Sequence, residues 1–138
     1  MALLDVFNIA GSAMSAQSVR MNVTASNLAN VDSSAASSAE VYHARQPVFE
    51  SLMGNFTDSG DGVGVRVSRI VESATGIKQK YQPDHPNANA EGYVFLTNVD
   101  PIQEMANMIS ASRSYETNVQ VADAAKQMLS KTLLMGQR

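Results

Sequence analysis

The sequence predicts an α+β fold in which long N- and C-terminal helices pair in a coiled-coil-like bundle around a small β-rich middle region. Apolar residues recur every seven positions at both ends of the 138-residue chain, and β-branched residues alternate with turn residues between them. The predicted division is an N-terminal helix at 1–30, a β-rich region at 31–99 with a mobile link at 31–40, and a C-terminal helix at 100–138.

The first helix is predicted from about Leu3 to Leu28. Its seven-residue spacing places Phe7, Met14, Met21 and Leu28 on one narrow stripe. Many of the other positions are serine, asparagine or threonine, which are mediocre helix formers. We therefore expect this segment to be largely unfolded in isolation and helical only when packed.

The middle region is predicted to contain short strands at 41–49, 63–68 and 93–96. Pro47 restricts the first of these to a sheet edge or a bulge. The serine- and alanine-rich run at 33–38 indicates the mobile link, and the run at 58–62 indicates a turn. With so few apolar residues, the strands are expected to form a small appendage.

The C-terminal helix has a well-defined predicted start. Asp100 suits the N-cap, Pro101 the first helical position and Gln103 the partner position of a capping box, while Gly136 suits the end. A helix from Pro101 to about Met135 would be ~52 Å long, and a globule of this mass would hardly cover it. The second stripe comprises Met108, Tyr115, Ala122 and Leu129, with Val119 beside it.

Two arrangements of these stripes fit the spacing. The stripes could close on each other within one subunit, or an elongated subunit could bury them in an assembly; the length of the second helix favours assembly.

Composition and motifs give no positive evidence for enzyme activity. The net charge is -3 with no basic run, which disfavours nucleic acid and membrane surfaces as partners, and no cysteine is present for disulfides or thiolate metal sites. The two histidines, His43 and His85, lack metal-ligand spacing. We therefore predict no catalytic residues, cofactor or metal. A small hydrolase that uses His43 or His85 is kept as an alternative.

The beginning of the chain lacks the charged and apolar regions of a cleaved secretory signal. No apolar run approaches membrane-spanning length. Any export is therefore expected to use another kind of signal.

The end of the first helix carries a specific motif. Asn27, Leu28, Ala29 and Asn30 form an Asn-Leu-Ala-Asn sequence that resembles the signature of flagellar rod, hook and hook-associated axial proteins. Three further segments, at 42–49, 81–94 and 104–118, resemble the proximal-rod branch of this family. Their order and spacing extend the resemblance over nearly the whole chain.

The resemblance implies a non-enzymatic subunit of the flagellar basal-body rod that transmits torque from motor to hook. It implies terminal helices packed near the axis of a helical assembly, with the middle segment outside. The implied partners are other rod subunits, copies of this chain and the flagellar type III export apparatus, with no nucleic acid and no direct membrane insertion.

The sequence departs from the family pattern at two places. Residues 33–38 replace a turn that often contains glycine and proline, and Gln82 and Asp84 replace an acidic residue and a glycine. The geometry of the link and of the later turn is therefore not transferred from the family.

Residue roles follow as hypotheses. We expect the two stripes to pack on each other, with the remaining helix faces meeting neighbouring subunits, and Asn27 and Asn30 to cap or turn the end of the first helix. Arg113 and Tyr115 are predicted subunit contacts because both residue types are enriched at interface hot spots. The alternative from another class is a soluble helical adaptor that offers its stripe to a partner helix.

Overall fold

The computed structural model describes residues 3–52 and 64–136. Two long helices pack against each other, and a small β-rich region lies between them in the chain, which confirms the predicted α+β fold. The elements in order are α1 (Leu3–Ala29), β1 (Ser34–Ala35), β2 (Arg45–Ser51), β3 (Val65–Glu72), β4 (Lys78–Tyr81), β5 (Tyr93–Leu96) and α2 (Pro101–Gly136).

The two helices run antiparallel. Near the middle of α1, Arg20 Nη2 donates a hydrogen bond to Asn107 Oδ1 at 3.2 Å. Beyond the end of α1, the Thr97 hydroxyl donates to the Val31 carbonyl at 3.5 Å. The end of α1 therefore lies beside the start of α2, and both helices occupy the ranges that the sequence predicts to within about a residue.

Asp100 caps the start of α2, as predicted. Asp100 Oδ1 accepts hydrogen bonds from the backbone N–H of Ile102 at 3.0 Å and of Gln103 at 3.4 Å. These bonds satisfy two of the N–H groups that a helix start leaves without an intrahelical partner. The Glu104 N–H donates to the Asp100 carbonyl at 3.0 Å, so the first backbone hydrogen bond of the helix is made to the capping residue itself.

Alanine occupies most of the buried positions in the described parts of the two helices. The buried residues are Ala10, Ala16, Val23, Thr24 and Asn27 in α1 and Glu104, Ala111, Ala122 and Ala125 in α2. Alanine lets helix backbones approach closely but removes little apolar area from water. The pair is therefore closely packed and gains little hydrophobic stabilisation within one chain.

The strands form two separate antiparallel sheets. One has the order β1-β5-β4, and the other is the β2–β3 hairpin, with a bulge between Val48 and Phe49. Pro47 lies in β2, an edge strand of this two-stranded sheet, which agrees with the edge-or-bulge position that the sequence predicts. Among the described residues the hairpin packs on α1 and not on α2, and Ser12 Oγ accepts a hydrogen bond from the Val65 N–H at 3.1 Å.

The first predicted strand begins later than expected, at Arg45 in place of residue 41. Asparagine side chains hold the backbone at this point. The Ala44 N–H donates to Asn98 Oδ1 at 2.7 Å, and the Arg45 N–H donates to Asn27 Oδ1 at 2.9 Å. Val41 and Ala44 therefore lie before the strand, and both side chains are buried.

The second predicted strand is confirmed where it is described. Val65 and Val67 are half-buried while Arg66 is exposed, and the strand continues to Glu72. The predicted Val63 and the turn at 58–62 lie outside the described residues. The third predicted strand is confirmed as β5.

Two short strands were not predicted. All four residues of β4 are exposed and include two lysines, so the strand forms through its pairing with β5 and not through its own β propensity. Within the predicted link, Ser34 and Ala35 pair with Leu96 and Phe95. Mobility of the link at 31–40 stays a prediction.

Gly92 has a conformation that other residues rarely adopt. Its φ is +80°, and an added Cβ would lie 2.9 Å from Tyr81 Cε2 and 3.3 Å from Pro83 Cβ. We expect Gly92→Ala to lower the free energy of unfolding by about 2 kcal/mol, from backbone strain and crowding together. Urea unfolding followed by circular dichroism measures this change.

Gly11→Ala is the matched control. A Cβ added at Gly11, within α1, meets nothing within 4 Å. Alanine is a better helix former than glycine, so this variant should be more stable by about 1 kcal/mol. Equal destabilisation by the two variants would contradict the assignment of strain to Gly92.

Candidate assembly surface and asparagine junction

Asn27 joins the end of α1 to the start of β2. Its side chain is 1% exposed. Asn27 Nδ2 donates to the Arg45 carbonyl at 2.8 Å, while Asn27 Oδ1 accepts from the Arg45 N–H and from the Tyr42 hydroxyl, both at 2.9 Å. We call Asn27, Tyr42 and Arg45 the asparagine junction.

The junction needs an amide at position 27. An amide offers a donor and an acceptor on one rigid group, whereas an ionised carboxylate only accepts. Asn30 works differently, because it lies in the turn after α1 and its Nδ2 donates to the Ser26 carbonyl at 2.8 Å. No described residue other than glycine has a positive φ, so neither asparagine uses the left-handed conformation on which the predicted capping role was based.

Tyr42 and Arg45 also contact each other and the hairpin. The Arg45 guanidinium carbon lies 5.4 Å from the centre of the Tyr42 ring, and Arg45 Nη2 lies 3.8 Å from Glu72 Oε1. The junction therefore unites two motifs that are far apart in sequence, the one at 27–30 and the one at 42–49. Sequence reasoning missed this pairing, and the only signal for it was that both motifs carry the same family resemblance.

The predicted stripe residues lie along the helix pair, mostly at partly exposed positions. Phe7 is 49% exposed, Tyr115 is 37% exposed and Ala122 is buried. The half-buried members are Met14, Met21, Leu28, Met108 and Val119. The partly exposed stripe residues therefore keep apolar surface available to a neighbour.

The other predicted contacts are accessible. Arg113 lies near the middle of α2 and Leu129 lies in its second half, and both side chains are exposed. Tyr115 is also exposed, and exposure of each side chain is what a contact between subunits requires.

The histidines make local hydrogen bonds. His43 Nε2 lies 3.2 Å from the Ser38 carbonyl oxygen, and His85 Nδ1 accepts a bond from the Asn87 N–H at 3.1 Å. Within 3–52 and 64–136, no group of three or more His, Cys, Asp or Glu side chains is arranged to hold a metal ion. In the same part of the chain, no helix is long and apolar enough to cross a membrane.

Comparison with known proteins defines the class first. A family model described as flagella basal body rod protein matches residues 7–34, which contain most of α1 and the Asn-Leu-Ala-Asn motif. A second model, described as flagellar basal body rod FlgEFG protein C-terminal, matches residues 90–135, which contain nearly all of α2. Together the two matches cover most of α1 and nearly all of α2.

Curated relatives define the family within that class. The chain is 48% identical to the flagellar basal-body rod protein FlgC of Escherichia coli O157:H7 and 47% identical to that of Salmonella typhimurium, in each case over 99% of this chain and 100% of the relative. It is 41% identical to the FlgC protein of Bacillus subtilis over 99% of both chains. The chain belongs to the FlgC family of flagellar basal-body rod proteins.

Membership in this family makes the chain a structural protein of the basal-body rod and not an enzyme. The resemblance drawn from the sequence is therefore confirmed. The adaptor and hydrolase alternatives are set aside on the same ground.

Proposed function

We propose that this chain is a subunit of the proximal part of the rod, that it assembles with copies of itself and other rod subunits through its terminal helices, and that the assembly transmits torque from motor to hook. The observation that carries the proposal is the helix pair itself. Its stripe residues Phe7, Met14 and Met21 are half-buried or exposed within one subunit, and so leave apolar surface for neighbours.

Torque transmission needs stiff elements and firm lateral contacts. An α-helix of 36 residues is ~54 Å long and keeps its hydrogen bonds along its length. Packing two such helices side by side, and then packing pairs against one another, would resist twisting of the assembly. Contacts between neighbouring subunits are heterologous in an open helical assembly, so different faces of the pair must serve as the two halves of each contact.

We also propose delivery by the flagellar type III export apparatus. The support is the family resemblance together with the weak helix formers in α1, which favour a segment that stays unfolded until it packs. An unfolded N-terminal segment suits passage through a narrow export channel.

Met21→Asp tests the assembly role. Met21 is half-buried on the first stripe, and burying a carboxylate against a neighbour without a partner is costly. We expect the variant to be exported but not incorporated into rods, with loss of swimming. Export is measured as protein in the medium and incorporation as protein in purified basal bodies.

Asn22→Asp is the matched control for Met21→Asp. It adds the same charge one residue away, at an exposed position outside the stripe. We expect it to be incorporated and to support swimming. A Met21→Asp strain that swims normally would contradict the assembly role of the stripe.

A further inference from the structure

Asn98 lies two residues before the N-cap of α2 and binds the base of the β2–β3 hairpin. Asn98 Oδ1 accepts a hydrogen bond from the Ala44 N–H at 2.7 Å. Asn98 Nδ2 donates to the carbonyl of Thr75 at 2.8 Å and to that of Ser73 at 3.4 Å. The Ser73 N–H in turn donates to the Ala44 carbonyl at 2.7 Å. We call Asn98 with these three partners the Asn98 bridge.

Two asparagines thus hold adjacent residues at the base of the hairpin. Asn27, near the end of α1, binds the N–H of Arg45, whereas Asn98, just before α2, binds the N–H of Ala44. Among the described residues the hairpin packs directly on α1 and makes no direct contact with α2. The Asn98 bridge therefore links the hairpin to the α2 side of the helix pair, where direct packing supplies no link.

The segment that joins the bridge to α2 is short and buried. Thr97 and Val99, the neighbours of Asn98, are both buried, and the Val99 N–H donates to the Thr97 hydroxyl at 3.1 Å. Pro101, the first residue of α2, follows Asn98 by three positions, which is at most ~11 Å of extended chain. The Thr97 bond to Val31, at 3.5 Å, is too long to hold this segment to the end of α1 firmly. A displacement of the start of α2 is therefore carried to Asn98.

We infer that the Asn98 bridge couples the position of the hairpin to the packing of α2 on α1. When α2 moves away from α1, the hairpin stays with α1, because it packs on that helix and is bound there by Asn27 and Ser12. The bonds to Asn98 are then the ones that break. This inference concerns the single chain and does not depend on the proposed assembly into rods.

The neighbouring N–H groups of Ala44 and Arg45 report the two attachments separately. Exchange of the Ala44 amide hydrogen requires the bond to Asn98 to open, and exchange at Arg45 requires the bond to Asn27 to open. Global unfolding exposes both N–H groups together. Opening of the bridge alone exposes Ala44 and leaves Arg45 protected, so the ratio of the two exchange rates separates coupling from a general loss of stability.

Hydrogen exchange followed by NMR on the purified full-length chain tests the coupling. Arg20→Ala removes the 3.2 Å bond to Asn107 between the two helices and changes none of the described bonds of the bridge. Ala111→Leu loosens the helix pair more strongly, since it crowds a fully buried position. We expect the ratio of the Ala44 rate to the Arg45 rate to rise about threefold in Arg20→Ala and about tenfold in Ala111→Leu.

Arg113→Ala is the matched control for Arg20→Ala. It removes the same side chain from an exposed position of α2. The ratio of exchange rates should stay within about twofold of its native value, because the helix pair is left intact.

Asn98→Ala tests whether the effect passes through the bridge. This variant removes the partner of the Ala44 N–H, so the ratio should be raised already in the native background. Adding Ala111→Leu should then raise it by less than about twofold, because opening of the helix pair finds no bond to Asn98 left to break. The measurements on Arg20→Ala and Ala111→Leu leave Asn98 unchanged, so the inference stays falsifiable even if Asn98→Ala does not fold.

Several results would overturn the inference. An unchanged ratio in both Arg20→Ala and Ala111→Leu would mean that the base of the hairpin is held independently of α2. A falling ratio would mean that the hairpin follows α2 and leaves α1. A tenfold rise on adding Ala111→Leu to Asn98→Ala would mean that the coupling takes another route, and fast exchange throughout α2 beside a protected Ala44 would exclude coupling altogether.

Discussion

Replacing Asn27 with alanine is expected to lower the free energy of unfolding by about 3 kcal/mol and to prevent incorporation into rods. The substitution removes the hydrogen-bond partner of the Arg45 N–H, the Arg45 carbonyl and the Tyr42 hydroxyl. Each group that stays buried without a partner costs about 1–3 kcal/mol, and entry of water into this partly buried site offsets some of that cost. Urea unfolding and the protein content of purified basal bodies measure the two effects.

Asn30→Ala is the control within the same motif. Its side chain makes an exposed hydrogen bond to the Ser26 carbonyl, and its loss should cost less than about 1 kcal/mol. Asn27→Asp should resemble Asn27→Ala, since a carboxylate cannot donate to the Arg45 carbonyl. Equal losses at positions 27 and 30 would mean that the motif acts through helix capping and not through the junction.

Ala111→Leu is expected to force α1 and α2 apart. Ala111 is 0% exposed in the helix pair, and a well-packed site that receives extra methylene groups typically loses 1–3 kcal/mol. We expect a loss of about 3 kcal/mol, because Ala111 is fully buried where α2 packs on α1 and no space is left for a larger side chain. Hydrogen exchange of α1 and α2 should become faster, and rod incorporation should fall.

Ala106→Leu provides the comparison for Ala111→Leu. Position 106 is exposed on the same helix, and a surface change of this kind usually alters stability by less than about 0.5 kcal/mol. If Ala111→Leu were as stable as Ala106→Leu, the close approach of the helices at this level would be wrong.

The helices could be predicted from the sequence because their signals are local. The seven-residue spacing and the Asp100–Pro101 start each depend on residues within a few turns of one another. The deepest contacts could not be predicted in this way. The stripes contain the large side chains Met14, Met21 and Met108, yet the alanines at 10, 111 and 125 are more deeply buried. The distance between the two helix backbones depends on both helices together, so it cannot be predicted from the pattern of either one.

The asparagine junction illustrates a second limit. Asn27 at the end of a helix has a local interpretation as a cap, and nothing within the helix indicates that its amide instead binds the backbone of Arg45. The late start of β2 has the same cause, since asparagine side chains bind the N–H groups of Ala44 and Arg45. β4 was missed because its pairing with β5, and not its composition, makes it a strand.

The sequence distances of these contacts indicate an order of folding. Asn27 lies 15 residues from Tyr42 and 18 from Arg45, whereas Arg20 and Asn107 are 87 residues apart. Closing the longer loop costs about 1.4 kcal/mol more chain entropy than closing the shorter one. We therefore expect the junction to form while α2 is still free, and the chain to complete its folding by closing the helix pair through which we propose it meets its neighbours.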